Sequence, residues 1–201
     1  MSTVFLKNYN QNQISNMSIH SNIKSVIISD IELKNRIKEL AANISHDYQD
    51  SKEIVMICIL QGAFLFMADL VREIDTVPVI VDFMSVSSYG NETKTSGTVK
   101  ILLDLKSGIE GKDIIIVEDI IDSGLTLQYL VKYLKNKGPK SLKICVLLNK
   151  MISTTDVAID YQGFEISKDA FVVGYGLDYS GHYRNINYVG ELDGKVYAKK
   201  E

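Results

Sequence analysis

Between residues 114 and 127 the chain reads IIIVEDIIDSGLTL: an apolar run, then Glu118, Asp119 and Asp122, then Ser123-Gly124-Leu125-Thr126 ahead of a helical stripe. Small and hydroxylated residues at a strand-to-helix turn let backbone N–H groups converge on an anion, and the helix N-terminus favours that charge. Ser123 and Thr126 add hydroxyl donors, so the segment is a candidate phosphate cradle. A plainer reading is capping, since Asp and Ser are favoured at an N-cap. One cap needs one such residue, whereas three carboxylates crowd into this bend. They repel each other and a bound phosphate unless hydroxyls, a metal ion or a developing cation face them. A ligand with both a phosphate and sugar hydroxyls resolves the tension. The Glu118-Asp119 pair would accept hydrogen bonds from the sugar while the loop holds the phosphate.

Such a bend needs a sheet behind it. Ile54 to Leu60 (IVMICIL) is apolar on both alternating faces, as expected for a central strand covered by helices on each side. After Gln61-Gly62, Phe64, Met67, Ala68 and Val71 recur at helical spacing until Glu73, and Pro78 introduces a further strand from Val79 to Met84. A second unit repeats the pattern: strand Ile114 to Val117, helix stripe Leu127, Leu130, Val131 and Leu134, a stop at Gly138-Pro139, and strand Leu142 to Leu148. Upstream, Leu33, Ile37, Leu40, Ala41 and Ile44 mark one face of a helix from Asp30, with Ser29 and Glu32 as a capping box. These units predict an α/β fold with right-handed crossovers, a mainly parallel twisted sheet flanked by helices, and ligands beyond the carboxyl ends of the strands. Residues 85–98, SVSSYGNETKTSGT, are polar or small without a period; they suit either a surface hairpin between two strands or a mobile lid over a site.

The 201 residues are 46% hydrophobic and 23% charged, with 13 Gly and 2 Pro, which sets aside disordered and fibrous chains and leaves room for one full-sized core. A net charge of -3 and a pI near 5.7 give no global field for nucleic acid or anionic membrane, so neither is expected as a partner. The apolar stretch Ile54 to Ala68 falls short of the roughly 20 residues a spanning helix needs. Cys58 and Cys145 sit in apolar runs as free thiols, and residues 1–22 resemble no targeting peptide, so a cytoplasmic protein is expected. His20, His46 and His182 share no metal-ligand spacing with either cysteine.

The acidic bend resembles the phosphoribosyl pyrophosphate motif of the phosphoribosyltransferases: four hydrophobic residues, two acids, two hydrophobics, then Asp-Ser-Gly and a late Thr. The likeness extends to the purine-salvage branch, the hypoxanthine-guanine phosphoribosyltransferases, over roughly Ser25 to Leu192. LQGAFLFMADLVREI at 60–74 is similar to that family's pyrophosphate loop and following helix, Ser88-Tyr89 to its mobile-loop pair, and FVVGYGLDYSGHYRN at 171–185 to its base-binding segment.

This resemblance implies a type I phosphoribosyltransferase core within one domain, 1–201. A small hood from the N-terminal region and the C-terminal part covers the base, and residues 85–98 form the mobile loop. It implies transfer of a phosphoribosyl group from phosphoribosyl pyrophosphate to a 6-oxopurine, with Mg2+ as cofactor and a homodimer or homotetramer as the assembly. Residue by residue, Glu118, Asp119, Asp122, Ser123, Gly124, Leu125 and Thr126 match the sugar and 5'-phosphate site, with Asp122 also the general base near purine nitrogen 7. Gln61, Gly62, Ser88, Tyr89 and Arg184 match the pyrophosphate site, Arg184 in a catalytic role. Lys150 matches the donor to the 6-oxo group, Phe171 the aromatic that stacks on the base, and Val172 the backbone contact to the ring edge. Asp178 lies with the purine site and, with Glu118 and Asp119, matches the metal ligands. Gln61 departs from the pattern, because many relatives carry Lys there.

Taken alone, Lys150 reads as a solvated loop lysine and Phe171 as core; Asp178 and Arg184 read as a turn acid and a surface arginine. Two other functions compete with the enzyme. A non-catalytic regulator that senses phosphoribosyl pyrophosphate would want a basic face or an added DNA-binding module. A phosphoacceptor receiver domain would hold magnesium with its acids, but fits a chain of 201 residues with a glycine-serine-threonine loop poorly.

Overall fold

In the computed structural model, residues 19–88, 99–150 and 157–198 are described. A 3-10 turn, Ile19–Asn22, leads into β1 (Ile23–Ile28) and α1 (Asp30–Asp47). The capping box is present: the Glu32 N–H donates to the Ser29 hydroxyl and the Ser29 N–H to the Glu32 carboxylate, at 3.3 and 2.8 Å. There follow β2 (Ile54–Leu60), α2 (Phe64–Arg72), β3 (Val79–Ser88), β4 (Val99–Leu103) and β5 (Asp113–Ile121). Next come α3 (Leu125–Lys135), β6 (Ser141–Lys150), β7 (Tyr161–Ile166), β8 (Val172–Val173), β9 (Val189–Leu192) and α4 (Gly194–Tyr197).

Six strands form one sheet in the order β4-β3-β2-β5-β6-β7, parallel throughout except for β4 on the edge. The apolar character of β2 on both sides is explained by its neighbours. Met56 and Cys58 pack with α1 and α2 in one apolar layer, while Val55, Ile57 and Ile59 join Leu127, Leu130 and Leu134 of α3 in the other. Burying such a side chain is worth about 1.5–3 kcal/mol, which is why this strand is uninterrupted by polar residues. A second, three-stranded antiparallel sheet, β1-β9-β8, joins residues from both ends of the described chain, with Ile23 opposite Leu192.

Several boundaries move from the expected ones. β5 runs on through Ile121, so Glu118 and Asp119 are strand residues rather than turn residues. β6 runs to Lys150, which closes the strand instead of following it. Backbone pairing carries both strands past the apolar stretch, Glu118 opposite Val146 and Ile121 opposite Asn149. β3 likewise continues to Ser88, paired with Val99 of β4, so residues 85–88 belong to an antiparallel strand pair and not to a loop. Tyr89 and the remainder of the expected lid, 89–98, lie outside the described residues, as does the start of the N-terminal region, 1–18. The second helix stops at Arg72 with Glu73 as its cap, and α3 ends at Lys135, ahead of Gly138. Among the described residues no helix is long and apolar enough to cross a membrane.

Candidate active site

Because β2, β5 and β6 are parallel neighbours, their carboxyl ends lie together. The segments that follow, Gln61-Gly62 and Asp122 to Thr126, meet Lys150 at this edge. Lys150 Nζ is 3.5 Å from Asp122 Oδ2, with the lysine sheltered and the carboxylate largely open to solvent. Beneath, Glu118, Asp122, Ser123, Gly124 and Thr126 line a hollow of about 130 Å³. The α3 N-cap is Gly124, in the left-handed region at φ 72°, and no side chain bonds the cap. Neither Asp122 nor Ser123 is therefore used up as a helix cap. The first-turn N–H groups of α3 have no capping side chain, and Thr126 on that turn lines the hollow. Leu125 itself is exposed.

The acidic pair stands behind this loop. Glu118 Oε2 is buried without a hydrogen-bond partner. Burial, reinforced by the charge of Asp119, pushes the Glu118 carboxyl well above its ordinary range, and burial also raises Asp119. An unpartnered oxygen of this kind costs free energy unless a ligand satisfies it. The pyrophosphate-loop candidate packs directly on the pair: a methyl at Gly62 would overlap the Asp119 carboxylate. A methyl at Gly176, whose φ is 98°, would in turn overlap the Gly62 carbonyl. The Leu60–Gln61 peptide is cis.

Arg184 ties the far wall to this loop. Its guanidinium donates to the Gly176 carbonyl at 2.6 Å, to Asp178 Oδ1 at 2.8 Å and to Gln61 Oε1 at 3.3 Å. Asp178 Oδ2 accepts from the Gly181 N–H at 2.7 Å. The segment is held in unusual backbone geometry, with positive φ at Tyr175, Ser180 and Tyr183 as well as at Gly174, Gly176 and Gly181. Such clusters of disfavoured conformations gather where function demands a fixed shape. Val172 is buried in β8, and the partly exposed Phe171 precedes it, stacked on Tyr197 at 4.9 Å.

The phosphoribosyl transferase domain family model matches residues 28–180. The hypoxanthine-guanine phosphoribosyltransferase of Bacillus subtilis is 51% identical over 87% of this chain and 96% of its own. That of Dictyostelium discoideum is 46% identical over 88% of this chain and 99% of its own. The chain belongs to the hypoxanthine-guanine phosphoribosyltransferase family. A hypoxanthine phosphoribosyltransferase crystal structure from Staphylococcus aureus superposes with a TM-score of 0.86 at 42% identity, covering 91% of this chain and 98% of that one. The mainly parallel sheet with flanking helices is accordingly that of the type I phosphoribosyltransferases.

Within this family member the expected site residues fall into connected groups. Asp122 and Lys150 are paired; Glu118, Asp122, Ser123, Gly124 and Thr126 share one hollow; Gln61, Asp178 and Arg184 form another cluster, joined to Asp119 through Gly62 and Gly176. Among the described residues no group of three or more His, Cys, Asp or Glu side chains is arranged to hold an ion. Ser88 ends β3, and Tyr89 lies outside the described residues. Gly176 and Tyr179 fall inside the 171–185 segment likened to the family's base-binding stretch but were not singled out in it, and Tyr197 lies outside that segment.

Proposed function

We propose that the chain performs purine salvage, joining a 6-oxopurine, hypoxanthine or guanine, to phosphoribosyl pyrophosphate to give IMP or GMP and pyrophosphate. The observation that carries this is the Asp122–Lys150 pair, an acceptor beside a donor at 3.5 Å. Nitrogen 7 and the 6-oxo oxygen of an oxopurine are adjacent, so one edge can give a proton to Asp122 and accept a hydrogen bond from Lys150. A lysine ammonium has no acceptor for an amino group, which disfavours adenine.

The small sheet β1-β9-β8 serves as the hood and presents Phe171 to the ring and the Val172 backbone to its edge. Ser123, Thr126 and the N–H groups around Gly124 and Leu125 hold the 5'-phosphate in the hollow. Glu118 and Asp119 face the ribose hydroxyls. As the sugar carbon loses pyrophosphate, Arg184, steadied by Asp178, Gly176 and Gln61, meets the leaving charge together with the Gly62 backbone. Ser88 and Tyr89 complete the pyrophosphate side. Asp122 takes the proton from nitrogen 7 as the new bond forms.

The donor set suits magnesium. Hard carboxylate oxygens, one of them the unpartnered Glu118 Oε2, are what this ion takes when a diphosphate supplies further ligands. Glu118 and Asp119 would hold it on the ribose side and Asp178 on the pyrophosphate side. When bound, magnesium neutralises phosphate charge and so eases departure of pyrophosphate.

The reading sets the reaction in the cytoplasm, in keeping with two unpaired, buried cysteines. It takes the active form to be a homodimer or homotetramer; exposed Phe64, Val81, Phe83 and Leu103 on α2, β3 and β4 support self-association. Purified protein should convert hypoxanthine or guanine, followed by ultraviolet absorbance, only when phosphoribosyl pyrophosphate and magnesium are supplied. Absence of product with every 6-oxopurine would overturn the proposal.

A further inference from the structure

Phe171 has one aromatic neighbour stacked on it and another set nearly perpendicular to it. Tyr197 stacks on it with ring centroids 4.9 Å apart and planes 28° from parallel, and Tyr179 meets it edge-on at 5.7 Å and 82°. Tyr179 and Tyr197 also touch each other, at 6.4 Å and 61°. A ring has two faces. With Tyr197 stacked against one face, a flat ligand can use only the other face of Phe171, whose residue is 38% exposed.

Tyr197 does not sit there for the sake of the core. Its helix, α4, has no buried residue, and Tyr197 is 43% exposed. Yet the element is firmly placed. The Leu192 N–H donates to the Phe171 carbonyl at 2.9 Å, the Asp193 N–H to the Asn22 carbonyl at 2.9 Å, and the Asp193 carboxylate accepts from the Lys195 N–H at 3.0 Å. The same strand, β9, thus fixes the backbone of Phe171 and launches the helix that carries Tyr197. An exposed aromatic held so closely to another exposed aromatic, on an element that buries nothing, has the pairing itself as its role.

We propose that Tyr197 is a positioning residue for the purine: it braces Phe171 from behind and fixes the plane on which the base lands. The proposal rests on the assignment of Phe171 as the stacking residue of the purine site. A braced ring loses less freedom when the base arrives than a ring free to turn, so the brace acts on purine binding. The sugar and phosphate groups, which bind at β2 and β5, are unaffected.

The test is steady-state kinetics on the full chain with Tyr197→Phe, Tyr197→Leu and Tyr197→Ala. Offset aromatic pairs contribute enough for removal of the brace to raise the purine KM roughly three- to tenfold. The KM for phosphoribosyl pyrophosphate and the thermal midpoint should stay as in the unaltered chain, and Tyr197→Phe should restore the purine KM. Tyr197→Leu keeps an apolar contact without a π face and reports on the brace if Tyr197→Ala folds poorly. A purine KM that is unchanged or lower in both Leu and Ala variants overturns the proposal, a lower value meaning that Tyr197 covers the face the base needs. Equal losses for both substrates overturn it too, since they mark a merely structural role. Absence of turnover in the unaltered chain overturns the base-site assignment and the brace together, whereas turnover with an insensitive purine KM removes the brace alone.

Discussion

Lys150 Nζ and Asp122 Oδ2 stand 3.5 Å apart across the carboxyl ends of two parallel strands, β5 and β6. The pair is unequal: the lysine side chain is 15% exposed and the aspartate 65%. The sheltered cation is fixed, and the carboxylate is free to meet a ligand. Asp122→Asn removes the proton acceptor and should lower kcat by about 100-fold or more, the usual scale of positioned proton transfer. The thermal midpoint should hardly move, because neither residue fills the core. Lys150→Gln supplies an acceptor as well as donors and should narrow the preference for hypoxanthine over adenine in competition assays. An Asp122→Asn protein with undiminished kcat would remove Asp122 from proton transfer.

The contact between Gly62 and Asp119 sets a second expectation. A side chain at Gly62 has no room unless Asp119 moves, and Asp119 is itself half-buried beside Glu118. Gly62→Ala should therefore depress kcat/KM for phosphoribosyl pyrophosphate by about 10- to 100-fold, as misplaced groups do. The purine KM should change less. Comparison of both KM values with the melting temperature checks this; a fully active Gly62→Ala protein would show that the close approach is dispensable.

Far from the site, Asp47 joins α1 to the sheet. Its Oδ2 accepts from Lys143 Nζ at 2.6 Å and from the Tyr161 hydroxyl at 2.7 Å. Chiefly through the Lys143 hydrogen bond, its carboxyl is lowered from 3.8 to about 2. A depressed carboxyl stabilises the fold above its unfolded value, and the contribution is lost as pH falls from about 4 through 2. With this side chain 37% exposed, solvent screening leaves about 1 kcal/mol. Asp47→Asn should cost that amount in urea titrations at pH 7, and the gap to the unaltered chain should close near pH 2. A gap that persists there would assign the effect to packing.

Both thiols should be silent in the native protein. Cys58 is buried, and burial first, then Glu118 and Asp119, push its thiol up to about 12; burial raises Cys145 as well. Thiolate is the reactive form, so an aromatic disulfide reagent should label neither cysteine until denaturant is added. Rapid labelling of Cys58 without denaturant would mean that β2 opens readily.

What could be read in the sequence follows from where one force acts alone. β2 was legible to the residue, since burial on both faces leaves no polar position to blur its ends. The start of α1 was legible because Ser29 and Glu32 cap locally. The ends of β5 and β6 were not, because strand pairing runs through Glu118 to Ile121 in β5 and through Lys150 in β6 regardless of side-chain polarity. The acidic bend and its phosphate loop showed themselves through residue types in one short run. Lys150, Phe171, Asp178 and Arg184 carry no such local mark, and only likeness to a family pointed to them. The abutment of Gly62 on Asp119 and of Gly176 on Gly62 joins distant segments, which spacing along a chain cannot report. Tyr197 was invisible for the same reason: its partner lies in another element.

The pairing of β1 with β9, Ile23 facing Leu192, also orders events on the ribosome. Among the described residues the first strand to be made, β1, waits for the last, β9, while β2, β3, β5 and β6 can already assemble among themselves. A nascent chain that stalls before Val189 has made the acidic bend proposed to anchor the activated sugar, yet lacks the strand that fixes the backbone of Phe171, the residue proposed to meet the nucleobase.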